Sequence, residues 1–295
     1  MSENREAADT ERVIDTERVI DTERMVDTER MVDTERFIDE GYLRIAGAVP
    51  RSITERCCDL LWEDLDADRS DPGTWTEPVV RVGGRWDPPF VEAATMPVLL
   101  DAYDRLLGSG RWVRPRGLGT FPVRFPHPAD PGDTGWHVDG SFAVEGQTWP
   151  YVDLRSRGRG LLVLFLLTDV GPDDAPTRIK VGSHLDVPGY LVDHRDGRSV
   201  LELCRAMDED GMLDAASRPT VEATGAAGDV YVCHPFLVHA AQPMRSAQPP
   251  NSGQESGTRP PRIIAQPPIE TVAPFRLDAT GTAPVGMAVR RALNR

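Results

Sequence analysis

Gly228-Asp-Val-Tyr-Val-Cys-His234-Pro-Phe-Leu-Val-His239 reads as a turn, a strand over 229–232, and then two histidines five residues apart. A strand needs partners, and the preceding sequence supplies them. Leu161-Leu-Val-Leu-Phe-Leu-Leu167 is apolar throughout, as a central strand buried on both faces must be. Further strand-like runs lie at 118–125, 151–154, 160–167, 178–181 and 220–223, between Gly, Pro and Asp turns, with a last strand at 262–266. Helical signals come earlier: a helix ending near Gly41, one over 52–65 with Ser52 as N-cap and Glu55 completing a capping box, and one over 94–107. The folded domain starts at Phe37 with the first of these helices, and a strand over 42–45 follows it. Helices followed by many strands predict a mainly β protein, a helix-flanked sandwich or jelly roll.

Five near copies of Asp-Thr-Glu-Arg-Val-Ile begin at Asp9, Asp15, Asp21, Asp27 and Asp33. A six-residue period advances a helix by ~600°, so no single apolar face results. Residues 1–36 are expected as a charged extension, helical or disordered, 37–280 as the domain, and 281–295 as a tail. The polar segment 246–257 is expected as a mobile loop. A net charge of −14 argues against binding nucleic-acid phosphates, and no run is apolar enough to span a membrane. Four cysteines without a CxxC pair suit reduced thiols and a cytoplasmic location. Lys180 is the only lysine; arginine supplies every other basic side chain, so arginine count alone says nothing about function.

Two histidines and one carboxylate on one side of a metal leave open positions, the arrangement that suits non-haem Fe(II). Three His-x-Asp triplets compete: His137-Val-Asp139, His184-Leu-Asp186 and His194-Arg-Asp196. Only His137 and Asp139 have enough strands between them and His239 to wind around a barrel and return. His234 and His239 cannot both point inward from one regular strand. His239 precedes the small Ala240 and Ala241, which leave room for a cofactor, and His234 would then orient a ligand. Arg262, on the last strand, is a candidate carboxylate fork and Arg124 a second anion contact; Arg259, beside two prolines, reads as loop. Trp136 flanks the first motif and is a candidate pocket wall.

Together, Gly135-Trp-His137-Val-Asp139-Gly-Ser, Thr177-Arg-Ile-Lys-Val-Gly-Ser-His184, the 228–239 motif and Arg262-Ile-Ile-Ala-Gln resemble the phytanoyl-CoA dioxygenase family of Fe(II)/2-oxoglutarate-dependent oxygenases. The resemblance covers about 37–270, with 246–257 looking inserted. It implies a double-stranded β-helix (jelly roll, cupin-like) core flanked by N-terminal α-helices. It implies that His137, Asp139 and His239 hold Fe(II), that Arg262 clamps the distal carboxylate of 2-oxoglutarate, and that Gly182-Ser-His184 is a turn away from the metal. Related halogenases carry a small residue in place of the carboxylate, so Asp139 implies oxygen transfer. The expected partners are O2 and a small organic substrate, which would be hydroxylated with release of succinate and CO2. Two alternatives remain at this point: a cupin-type metal enzyme that does not use 2-oxoglutarate, and a non-catalytic β-sandwich binding module acting through its repeats.

Overall fold

The structure, a computed structural model, describes residues 32–244 and 259–294. The expectations for repeats 1–31 and for loop 246–257 fall outside the described residues. Every helix and strand named here belongs to the unit Thr34–Arg295. Its elements begin with α1 (Thr34–Glu40), β1 (Tyr42–Ile45), α2 (Arg51–Glu63), β2 (Val79–Val82), α3 (Pro88–Ala94), α4 (Pro97–Leu107) and β3 (Phe121–Arg124). There follow β4 (Tyr151–Val152), β5 (Leu161–Leu166), β6 (Arg178–Lys180), β7 (Arg198–Ser199) and α5 (Val200–Glu209). The last are β8 (Thr220–Glu222), β9 (Val230–Cys233), β10 (His239–Ala240), β11 (Ile264–Ala265), β12 (Pro268–Ile269) and α6 (Pro284–Leu293). Among the described residues, no helix is long and apolar enough to cross a membrane.

The core is antiparallel β. One sheet runs β1-β9-β5-β11, with β12 also pairing β5, and a second runs β10-β6-β8. β5 is buried along its whole length, as its unbroken apolar sequence requires. Its Leu162, Leu164 and Leu166 join Tyr231 and Cys233 of β9, Ile179 of β6 and Ile264 of β11 in one apolar cluster, so side chains of both sheets form the core. At the Gly228-Asp229 turn, Gly228 has φ +100°, and a β-carbon there would lie 2.0 Å from the Val49 carbonyl oxygen. Asp229 accepts from Arg44 (2.6 Å) and from the Gly47 amide (2.8 Å), fastening the start of β9 to the end of β1.

Helix α2 starts at Arg51 with Pro50 at its N-cap and no side-chain cap, so the expected Ser52 capping box is not formed. The expected 94–107 helix is α4 alone; Thr95 and Met96 separate it from α3, because Pro97 disfavours helical backbone in the residue before it. Helix α5 lies outside the expected elements, yet Ser199 caps it by accepting from the Glu202 amide (3.3 Å). The expected tail 281–295 contains α6, which buries Val285, Ala288 and Val289.

His234 lies beneath α6. The Phe236 N–H donates to its Nδ1 (3.2 Å), so Nε2 carries the proton and donates to the Val285 carbonyl (3.1 Å). Burial pushes the His234 imidazole down to about 4, against a smaller opposite pull from that carbonyl. Above pH 6.5 the ring is neutral folded and unfolded alike. Between pH 6.5 and about 4 only the unfolded chain takes up this proton, so stability falls with pH by up to ~1.4 kcal/mol per unit. We predict that urea titrations across this range show a shallower pH dependence for His234→Phe than for wild type. Parallel profiles would contradict the assignment.

Candidate functional site

His137 and His239 face each other across an isolated antiparallel bridge. The His137 amide donates to the His239 carbonyl (2.9 Å) and the His239 amide to the His137 carbonyl (3.0 Å). Residues directly opposite in an antiparallel pair project to the same face, which brings the ring centroids to 4.4 Å. Each Nδ1 sits against a backbone carbonyl, Gly135 for His137 (2.9 Å) and Leu237 for His239 (3.0 Å). A carbonyl only accepts, so each Nδ1 carries the proton and each Nε2 presents a lone pair. Burial, then His137, pushes the His239 imidazole down to about 4, so that lone pair is free at neutral pH.

Asp139, two residues on from His137, places Oδ1 3.9 Å from both Nε2 atoms. The three ligand atoms lie within 4.8 Å of one another, close enough for one metal ion to touch all three. Asp139 Oδ2 accepts from Arg159 Nη1 (2.8 Å). Burial pushes this carboxyl up, but Arg159 and the two histidines outweigh it and hold it below the usual range. The site therefore offers two imidazoles and one carboxylate, with the second carboxylate oxygen already engaged.

A second reciprocal bridge repeats the first: the amides of Arg124 and Arg262 each donate to the other's carbonyl (2.9 Å both ways). Both side chains are buried and line the same cavity of about 680 Å³ as His137, Asp139 and His239. Arg124 Nη2 is forked by Asp133 (2.6 and 2.7 Å), and Arg262 Nη1 donates to the Ala175 carbonyl. Arg124 Nε and Nη1 and Arg262 Nε have no partner. Burial, with Arg124 beside it, pulls Arg262 down to about 9, which leaves it cationic at neutral pH. Unpaired buried donors on charged groups cost free energy, and a bound carboxylate would recover it. The residues present thus fit a divalent metal ion and an organic anion in one cavity.

Trp136 lines this cavity, with the Arg178 guanidinium 4.7 Å and the Lys180 ammonium 4.8 Å from its ring centre. His234 does not line it and is a core residue, not one that orients a metal ligand. His184 is buried against His234, His194 is exposed, and Arg259 pairs with Asp173 and Asp174. Arg159 and Asp133 join the site without any signal in the sequence. Neither has a diagnostic spacing, since Arg159 reaches Asp139 from the turn before β5. Trp149, Val200 and Leu201 add an apolar wall.

A family model described as phytanoyl-CoA dioxygenase (PhyH) matches residues 38–251. Among solved structures, the chain is similar to SnoK, a non-heme alpha ketoglutarate dependent carbocyclase from nogalamycin biosynthesis. The identity is 18%, the TM-score 0.52, and the match covers 82% of this chain and 84% of that one. It is also similar to HygX from Streptomyces hygroscopicus with nickel and 2-oxoglutarate bound, at 18% identity and TM-score 0.48, over 80% and 86% of the two chains. No curated protein matches the sequence. At 18% identity the likeness to SnoK speaks to the fold alone, whereas the family match spans most of the chain. The protein belongs to the phytanoyl-CoA dioxygenase family.

Proposed function

We propose that this protein is an Fe(II)- and 2-oxoglutarate-dependent oxygenase that hydroxylates a small organic molecule, releasing succinate and CO2. The observation that carries the reading is the pair of buried guanidiniums with unpartnered N–H groups in the cavity of the His-Asp-His cluster. His137, Asp139 and His239 are the metal ligands, and Arg262 with Arg124 receives the distal carboxylate of 2-oxoglutarate. The two-sheet core is read as a jelly roll, whose strands return His239 to the His137 loop. Four free thiols support a reducing, cytoplasmic setting.

Iron and 2-oxoglutarate, when bound, supply activation of O2 and the oxidising power for hydroxylation. The protein supplies geometry. The Gly135 and Leu237 carbonyls fix the tautomer and tilt of the two rings. Arg159 holds Oδ2 of Asp139, so that Oδ1 is the oxygen presented to the metal. Asp133 fixes the angle of Arg124 and the Ala175 carbonyl that of Arg262, leaving the unpartnered donors for an anion. Trp136, Trp149, Val200 and Leu201 wall the cavity and exclude water around the substrate.

Anaerobic titration with Fe(II) and 2-oxoglutarate is predicted to give a weak visible charge-transfer band. In Arg262→Ala, 2-oxoglutarate affinity is predicted to fall by ~10–100-fold. Equal affinity in the variant would remove Arg262 from the site, and iron binding without any band would point to a metal enzyme that does not use 2-oxoglutarate. Arg159→Leu is predicted to weaken Fe(II) binding by ~10–100-fold, since partners that orient ligands carry that much affinity. Unchanged Fe(II) affinity by competition with a chromophoric chelator would show that Asp139 needs no such hold.

A further inference from the structure

A second cleft, about 550 Å³, adjoins the metal-side cavity and shares Asp139 and Gln266 with it as lining residues. Arg159 lies in this cleft, where its charge is taken up by Asp139. Arg114 and Arg116 also line it. Both are exposed, and neither has a hydrogen bond or ion pair among the described residues. Neighbouring arginines behave otherwise: Arg85 pairs with Asp64 and Asp87, and Arg111 donates to the Pro274 carbonyl. The acidic lining residues are Asp139, already neutralised, and Glu270. In a chain of net charge −14, this cleft presents surplus positive charge.

Trp86 lines the same cleft and is 69% exposed. Its indole is seated against backbone. A β-carbon at Gly84 would lie 3.2 Å from Trp86 Cζ2, and one at Gly117 would lie 3.0 Å from Cδ1 and 2.2 Å from the Arg85 carbonyl oxygen. Neither glycine has a positive φ, so it is the close approach, not backbone conformation, that calls for glycine here. An indole packed close to two glycines and still 69% exposed has ring surface available for stacking, and the two unpaired guanidiniums lining the same cleft can fork an anion.

We infer that this cleft is the remote half of the substrate site and takes a flat ring bearing an anionic group, a carboxylate or a phosphate. The ring stacks on Trp86, and the charge is held by Arg114 and Arg116. The metal-side cavity then receives the reacting end of the same molecule across Asp139 and Gln266. Calling the ligand a substrate rests on the oxygenase reading; its binding does not. Binding energy gathered this far from the reacting atoms is available to orient them.

The test is calorimetric titration of the full chain, first without metal and then anaerobically with Fe(II) and 2-oxoglutarate. The probes are 2-naphthoate, 2-naphthyl phosphate, neutral 2-naphthalenemethanol and cyclohexanecarboxylate. One naphthyl anion is expected to bind per chain, and both comparators ~10-fold or more weaker, since each lacks one of the two contacts. The stronger of the two anions identifies the acidic group. The double variant Arg114→Gln/Arg116→Gln is expected to lose ~10–100-fold for the anions and nothing for the neutral ring. Trp86→Ala weakens every naphthyl probe and Trp86→Phe restores binding. Three results would overturn the inference: no saturable binding of either anion, undiminished binding in the double arginine variant, or displacement by 2-oxoglutarate, which would place the probe at Arg124 and Arg262. Naphthyl anion binding in a chain that takes up neither Fe(II) nor 2-oxoglutarate would sink the oxygenase reading and leave the cleft standing; the reverse pattern would sink only the cleft.

Discussion

Two reciprocal backbone bridges organise the site, and everything chemical depends on them. A pair of residues that exchange both amide hydrogen bonds must send their side chains to the same face. His137 opposite His239 therefore gives two converging imidazoles, and Arg124 opposite Arg262 gives two converging guanidiniums. Neither pair rests on long side chains finding each other by chance. The backbone fixes both, and the sheets fix the backbone. β10 continues from His239 into its pairing with β6, while β3 leads into Arg124 from its pairing with β2. Like charges are thereby held together in a buried place, an arrangement that would be costly if nothing were meant to bind there.

Local ion pairing then tunes what the bridges assemble. Asp139 and Asp133 are each held by an arginine, but with opposite consequences. Arg159 occupies one oxygen of Asp139 and leaves the other facing the imidazoles. Asp133 occupies one nitrogen of Arg124 and leaves the other two without a partner. In the proposed chemistry the first arrangement makes a single-point metal ligand and the second a partly saturated anion receptor. Arg114 and Arg116 lack any such partner among the described residues, and both line the neighbouring cleft.

Much of this is legible in the chain. Strand count favours His137-Val-Asp139 over His184-Leu-Asp186; in the structure His184 is in the core, and Asp186 is forked by Arg218. The role of His234 is not legible, because a histidine near a ligand motif says nothing about which face it takes. Pro235 and the turn through Leu237 bury it under α6. Helix α6 escapes a sequence reading, although Val285, Ala288, Val289 and Ala292 have helical spacing, because its small residues make a faint apolar stripe. The Ser52 signature misleads for a different reason: the helix begins at Arg51, so Ser52 lies inside the first turn and not at the cap, whereas the same pattern at Ser199 and Glu202 is a working cap. Arg159 is invisible in the sequence because its meaning is its distance from Asp139, twenty residues away.

The proposed chemistry brings together, in one cavity, iron on His137, Asp139 and His239 and a carboxylate on Arg262. Anomalous X-ray scattering at the iron edge, from crystals grown anaerobically with Fe(II) and 2-oxoglutarate, would see both at once. The predicted result is one iron peak within bonding distance of His137 Nε2, Asp139 Oδ1 and His239 Nε2, and carboxylate density against the Arg262 guanidinium. Iron bound elsewhere, or 2-oxoglutarate lying away from Arg262, would contradict it.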